Sequence, residues 1–176
     1  MASSWTHAAG AVALAAALMP RGVPPRTWYL VAAAAVVPDL DAMGRLWGAG
    51  DVAWLGGHRA FTHSLSFAAV GGLLLVLSLR PAVTAGPSVL RAWFTATLAI
   101  ATHGALDSLT TYGEGIQFLS PFIDQRYWAP WRLLGGGIVR DTIAFVLFYA
   151  VARAMIIQRK LPLPSVLNPQ FLRAAG

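Results

Sequence analysis

No charged residue lies between Arg59 and Arg80. A helix needs roughly 20 apolar residues to cross a bilayer, so the stretch from Phe61 to Leu79 reads as a spanning helix carrying one histidine, His63. The whole chain has the same character. Its 176 residues are 57% hydrophobic and only 11% charged, with mean hydropathy +0.60. That is too apolar for an ordinary soluble domain and points to one small membrane domain.

Four further apolar segments frame this one. They run from Ser4 to Met19 (closed by Pro20), from Thr27 to about Met43, from Val89 to about Leu109 and from about Ile138 to Ile157. The expected fold class is therefore all-α: an integral membrane bundle of about five helices, the first two short. It forms a single domain over residues 1–160, and residues 161–176 read as a loosely ordered tail. Ala8 to Met19 has the length of a signal-peptide core, but no Lys or Arg precedes it and Arg21 and Arg26 follow, so a retained helix is expected. The Gly-, Pro-, Trp- and Tyr-rich segment from Thr110 to Gly137 reads as a long loop able to cap a site, with Trp128 and Trp131 at the membrane interface.

Charge sets the orientation. With alternating crossings, one side receives Arg21, Arg26, Arg80, Arg91, Arg153, Arg159, Lys160 and Arg173 and no acid. The other receives Arg45, Arg59, Arg126, Arg132 and Arg140 with all seven acids. The positive-inside rule makes the first side cytoplasmic. The expected arrangement is multi-pass, with the C-terminus cytoplasmic and the acidic side facing the periplasm or its equivalent. The net charge of +6 marks helix ends and does not argue for nucleic-acid binding. Without cysteine, disulfides and thiolate metal sites are excluded.

The same topology brings His7, Asp39, Asp41, His58, His63, His103 and Asp107 to the acidic side from well-separated segments. Histidine and carboxylate are ligands for zinc and similar divalent ions, and ionisable groups at membrane depth are costly unless functional. His103 and Asp107, at i and i+4, share one helix face; alone, the pair reads as a buried hydrogen bond. His58 and His63 are five apart, so both converge only across a loop-to-helix transition, with Thr62 or Ser64 as N-cap. Asp39 and Asp41 oppose the dipole at a helix C-terminus unless a cation or Arg45 compensates. Seven candidate ligands suit one or two ions, most simply Zn²⁺, with Mn²⁺ possible.

Three motifs in order, Pro-Asp-Leu-Asp at 38–41, His-Arg-Ala-Phe-Thr-His-Ser-Leu at 58–65 and His-Gly-Ala-Leu-Asp-Ser-Leu-Thr-Thr-Tyr-Gly at 103–113, resemble the YdjM-like family of bacterial membrane-bound metal-dependent hydrolases. That family is in turn distantly similar to zinc-dependent phospholipase C. The resemblance implies one metal site from Asp39 or Asp41, His63, His103 and Asp107. A second would draw on His7, a shared Asp107 and His58. The zinc phospholipases hold a third ion with ligands on a later helix, and this chain has no histidine after His103.

The function expected is hydrolysis of phosphate esters in a membrane lipid or lipid-linked substrate. Asp39 or Asp41 would act as general base and Arg59 would hold a phosphate oxygen, with Arg126, Arg132 and Arg140 as weaker candidates. The rival readings are a haem protein with His63 and His103 as axial ligands, and a metal transporter or a small membrane scaffold, although transport sites favour the midplane.

Overall fold

The structure, a computed structural model, describes residues 2–48, 50–52, 56–79, 87–134 and 137–162. Its helices are α1 (Ser4–Leu18), α2 (Arg26–Val36), α3 (Leu65–Ser78), α4 (Pro87–Ser108) and α5 (Ile138–Gln158). There is no strand among the described residues, only a single bridge between Ile116 and Tyr127.

The helix boundaries follow local chemistry. Ser3 caps α1, its side chain accepting from the Thr6 amide. Helix α2 stops at Val36 rather than near Met43, because Pro38 has no amide hydrogen to continue the helical hydrogen-bond ladder. The chain continues as a 3-10 segment, Val37–Trp47, ended by Gly48 at φ 71°. The third apolar segment also begins later than its composition implies. Phe61–His63 forms one 3-10 turn, and Ser64, extended, caps α3 by accepting from the Phe67 amide.

Helices α1 and α4 lie side by side, with α5 against α1, α3 against α4, and α2 across both. Small residues make this closeness possible: Ala11, Ala15, Ala16, Ala92, Ala96 and Ala99 are all buried in the core. A Cβ on Gly72 would lie 2.8 Å from the Thr97 amide nitrogen, so α3 touches the α4 backbone.

Two sets of hydrogen bonds fix the helix directions. The Ser3 amide donates to Asp141, joining the starts of α1 and α5. At the opposite end Arg91 donates to the Leu18 carbonyl, Arg26 to Ser78, and Arg159 to Ala16 and Met19. These arginines occupy the orphan carbonyls of helix C-termini, where the dipole favours cations. Helices α1, α3 and α5 therefore start at one end of the bundle, and α2 and α4 finish there.

The loop between α4 and α5 lies across that end. Phe118 accepts from the Leu65 amide, Arg59 from Gln117 and Ser108 from Ala129. Trp128 and Trp131 are exposed on it. The sides of the bundle are apolar: Val70 and Leu74 on α3, Phe94 on α4 and Val146 and Leu147 on α5 are all exposed. Among the described residues one helix, α5, is long and apolar enough to cross a membrane, while α1 and α3 are apolar but shorter.

The start of the expected loose tail is held. Leu161 is buried and Trp28 donates to the Pro162 carbonyl, whereas 163–176 lie outside the described residues, as do Arg80 and Arg173 of the charge count.

Candidate metal centre

At the end of the bundle where α1 starts, four histidines and three aspartates meet. His7 comes from the first turn of α1, Asp39 and Asp41 from the 3-10 segment after α2, and His58 and His63 from the approach to α3. His103 and Asp107 come from the last turns of α4. A Cβ on Gly104 would stand 2.7 Å from the His63 carbonyl oxygen, so this glycine lets α4 approach close enough for His63 and His103 to meet.

The hydrogen bonds assign the tautomers. His103 Nδ1 lies 2.7 Å from the Ala35 carbonyl, which can only accept, so Nδ1 carries the proton. His58 Nδ1 lies 2.7 Å from an Asp41 oxygen and donates to it. Thr62 donates its hydroxyl to the other Asp41 oxygen, which frees the Thr62 oxygen to accept from His63 Nδ1 at 3.0 Å. Each of these three histidines thus presents a bare Nε2. The Nε2 atoms of His63 and His103 face each other at 3.1 Å, a repulsive arrangement of two lone pairs unless a cation or proton lies between them.

The remaining atoms tell the same story. His7 Nε2 is 3.4 Å from one Asp107 oxygen, and His63 Nε2 is 3.7 Å from the other. Asp39 sits 3.3 Å from His103 Nε2 and 3.8 Å from His63 Nε2. His7 stacks on His103 with centroids 3.8 Å apart. Buried atoms without a hydrogen-bond partner include both His7 nitrogens, His58 Nε2, Asp39 Oδ1 and both Asp107 oxygens. An unsatisfied buried polar atom costs about 1–3 kcal/mol, so their concentration here is a large penalty that a cation removes. Two sets of ligand atoms lie within 4.8 Å of one another: Asp39, His58, His63 and Asp107, and His7, His103 and Asp107. Asp107 belongs to both, as a carboxylate shared by two ions would.

Asp41 separates from Asp39. Both Asp41 oxygens are engaged by His58, Thr62 and His63, which places Asp41 behind the candidate ligands rather than among the free ligand atoms. Burial acts to raise the Asp41 pKa, but the hydrogen bonds from His58, His63 and Thr62 outweigh it and hold the carboxyl below its ordinary range. The Ala35 carbonyl plays the same orienting part for His103. As a backbone group it leaves no signal in the sequence, whereas Thr62 was legible there only as a possible cap. Arg45 does not compensate the paired acids, since it binds Asp51 through two hydrogen bonds of 2.5 and 2.7 Å.

The expectation that Arg59 holds a substrate phosphate needs correction. Arg59 is 2% exposed. Its guanidinium donates to the Tyr112 carbonyl and to Thr110, and Nε lies 3.3 Å from Asp107. It is spent on the protein interior, and its Nε faces the same Asp107 oxygen that His63 Nε2 approaches. Its backbone is held at φ 67°, a strained region for a side-chain-bearing residue. Arg126 and Arg132 reach the Gly115 and Thr110 carbonyls in the capping loop, and Arg140 lies in the first turn of α5. The haem reading also fails geometrically: His63 and His103 meet edge to face, with no gap for a porphyrin between them.

The sequence model of the YdjM inner membrane protein family matches residues 1–166. The chain is 38% identical over 131 residues to inner membrane protein YbcI of Escherichia coli (strain K12), an alignment covering 73% of each chain. No solved structure matches. With the three His/Asp motifs gathered at one end of a helical bundle, the protein belongs to the YdjM family of inner membrane proteins.

Proposed function

We propose that this protein is a membrane-bound hydrolase of phosphate esters that works through one or two divalent ions, most simply Zn²⁺. The observation that carries the reading is the set of buried Nε2 and carboxylate atoms without hydrogen-bond partners, converging from four parts of the chain. His7, His58, His63, His103, Asp39 and Asp107 hold the ions. When bound, a pair of divalent ions lowers the pKa of a water molecule and neutralises charge on a phosphate. Asp39 is 15% exposed, while no other ligand side chain exceeds 7%, so substrate and water reach the centre at Asp39. That access suits Asp39 to accept a proton from the attacking water. Asp41 braces His58 and His63 from behind, and Arg59 offsets the charge of Asp107.

The bundle is integral to the membrane and multi-pass in this reading. Its exposed sides are apolar, and helices α4 and α5, at 22 and 21 residues, span about 32 Å against a hydrocarbon core of about 30 Å. The arginines capping the opposite end support a cytoplasmic position for that end by the positive-inside rule; in this reading the centre faces the periplasm and the substrate is a lipid or lipid-linked phosphate ester.

Metal content by mass spectrometry on detergent-purified protein tests the proposal, with wild type beside His103→Ala and Asp107→Ala. One to two equivalents of zinc or manganese, lost in folded mutants, followed by metal-dependent release of phosphate or phosphoalcohol from phospholipids, would support it. A metal-free protein without such activity would sink it.

A further inference from the structure

The side of the bundle below Asp39 carries an apolar groove of about 350 Å³, at the low end of the ~300–1,000 Å³ of small-ligand clefts. Ala34 and Val37 form one wall, Phe67, Val70 and Leu74 on α3 the other, and Ile100 of α4 the floor. Ser78 marks its far end. Helices α2 and α3 touch only sparingly, and the groove is the gap they leave.

Its placement relative to the ligands is informative. Val37 stands two residues before Asp39, Ile100 one turn before His103, and Phe67 one turn after His63. The groove thus ends beside the most solvent-accessible of the ligands. Exposed Leu40, Met43 and Leu65 continue the apolar surface around that mouth. In the other direction, Phe67 and Ser78 lie eleven residues apart along α3, about 16 Å at 1.5 Å per residue. This is roughly half the ~30 Å hydrocarbon core, one leaflet's depth. A lipid standing in the periplasmic leaflet presents the same dimensions: an acyl chain one leaflet long, with its phosphate at the top.

We infer that the α2–α3 groove seats one acyl chain of a membrane phospholipid, entering sideways from the bilayer and placing the lipid phosphate at Asp39. The choice of phosphate as head group rests on the hydrolase reading; the acyl seat itself rests on the groove. Soluble phosphate esters lack the chain that fills the groove, so chain length governs which substrates are used.

The test uses full-length, metal-loaded protein in lipid nanodiscs containing a phosphatidylglycerol with a mid-chain diazirine. Photolabelled peptides are located by mass spectrometry. Adducts should concentrate on Ala33–Val37 and Phe67–Leu74, several-fold above Val146 and Leu147 of α5, which are as exposed as Val70 and Leu74. Ala34→Phe, which fills the groove, should abolish that excess, and Leu147→Phe should leave it intact. If Ala34→Phe does not fold, as judged by lost metal, Ala33→Phe on the same wall and more exposed serves instead. Labelling that merely follows exposure, or an excess that survives the plug, overturns the seat. In a second arm, the ratio of long-chain phospholipid hydrolysis to bis-p-nitrophenyl phosphate hydrolysis should fall at least about tenfold in the plugged variant, the scale on which apolar pocket contacts discriminate. An unchanged ratio overturns the seat and leaves the hydrolase reading standing. Groove labelling without any hydrolysis does the reverse, upholding the seat while removing the hydrolase.

Discussion

Replacing Asp41 with Asn separates a ligand from a residue that orients ligands. The carboxylate accepts from His58 Nδ1 on one oxygen and from Thr62 on the other, and the Thr62 oxygen in turn receives His63 Nδ1. An amide of the same shape has one acceptor oxygen and one NH₂ donor. If its oxygen faces Thr62, the NH₂ meets His58 Nδ1–H, donor against donor. His58 must then move its proton to Nε2, and it ceases to be a ligand. If the amide is flipped, Thr62 must turn, and His63 loses its fixed tautomer. Either way one of the converging Nε2 lone pairs is compromised while every ligand atom remains in the protein. Outer-shell changes of this kind weaken metal binding by about 10–100-fold, or about 1.4–2.7 kcal/mol. Titration of metal-free protein against a fluorescent chelator of known affinity reads this directly, with Asp39→Asn as the comparison. The expected result is a full complement of ions bound more weakly in Asp41→Asn, and loss of stoichiometry in Asp39→Asn. Unchanged affinity in Asp41→Asn would refute the orienting role. Loss of an entire equivalent would refute it differently, by making Asp41 a ligand.

Three further outcomes are expected. Chelation should lower the thermal midpoint by several degrees, because ions that bind only the folded state stabilise it by mass action. Restoration by Zn²⁺ in wild type but not in His103→Ala, followed by intrinsic fluorescence in detergent, checks this. Arg59→Lys keeps the charge but loses the fork that joins Thr110, Tyr112 and Asp107, and should cost about 1–3 kcal/mol of stability with weaker metal binding. A raised KM with stability unchanged would instead return Arg59 to the substrate. Gly104→Ala forces a methyl to within 2.7 Å of the His63 carbonyl and should destabilise by about 1–3 kcal/mol. Its effect on metal affinity should exceed that of Ala101→Gly, on the same helix, measured in parallel.

The helix count and most helix positions were legible because apolar length and proline are local signals. Pro20 closed α1 near where hydropathy ended it, and Ile138 opened α5 as composition implied. The later start of α3 was less visible: Phe61 continues the apolar run, but Ser64 competes with it as a cap, and the cap prevails. The 3-10 course of Val37–Trp47 was hidden for a related reason, since Pro38 signals a break in the α-helix but does not specify the conformation of the residues beyond it.

By itself, the sequence determined which residues could meet. Once hydropathy fixes alternating helices, His7, Asp39, Asp41, His58, His63, His103 and Asp107 are carried to one end. Tertiary structure alone decided what each does there. Asp39 and Asp41 are two residues apart and chemically identical, yet one points an unpartnered oxygen at His103 and the other is consumed by His58 and Thr62. Arg59, read as a phosphate holder, turned inward to Asp107. Hydropathy and spacing place a residue along the bundle axis to within a turn, but a role depends on ångström-scale distances between side chains far apart in the chain, and those exist only after the helices pack.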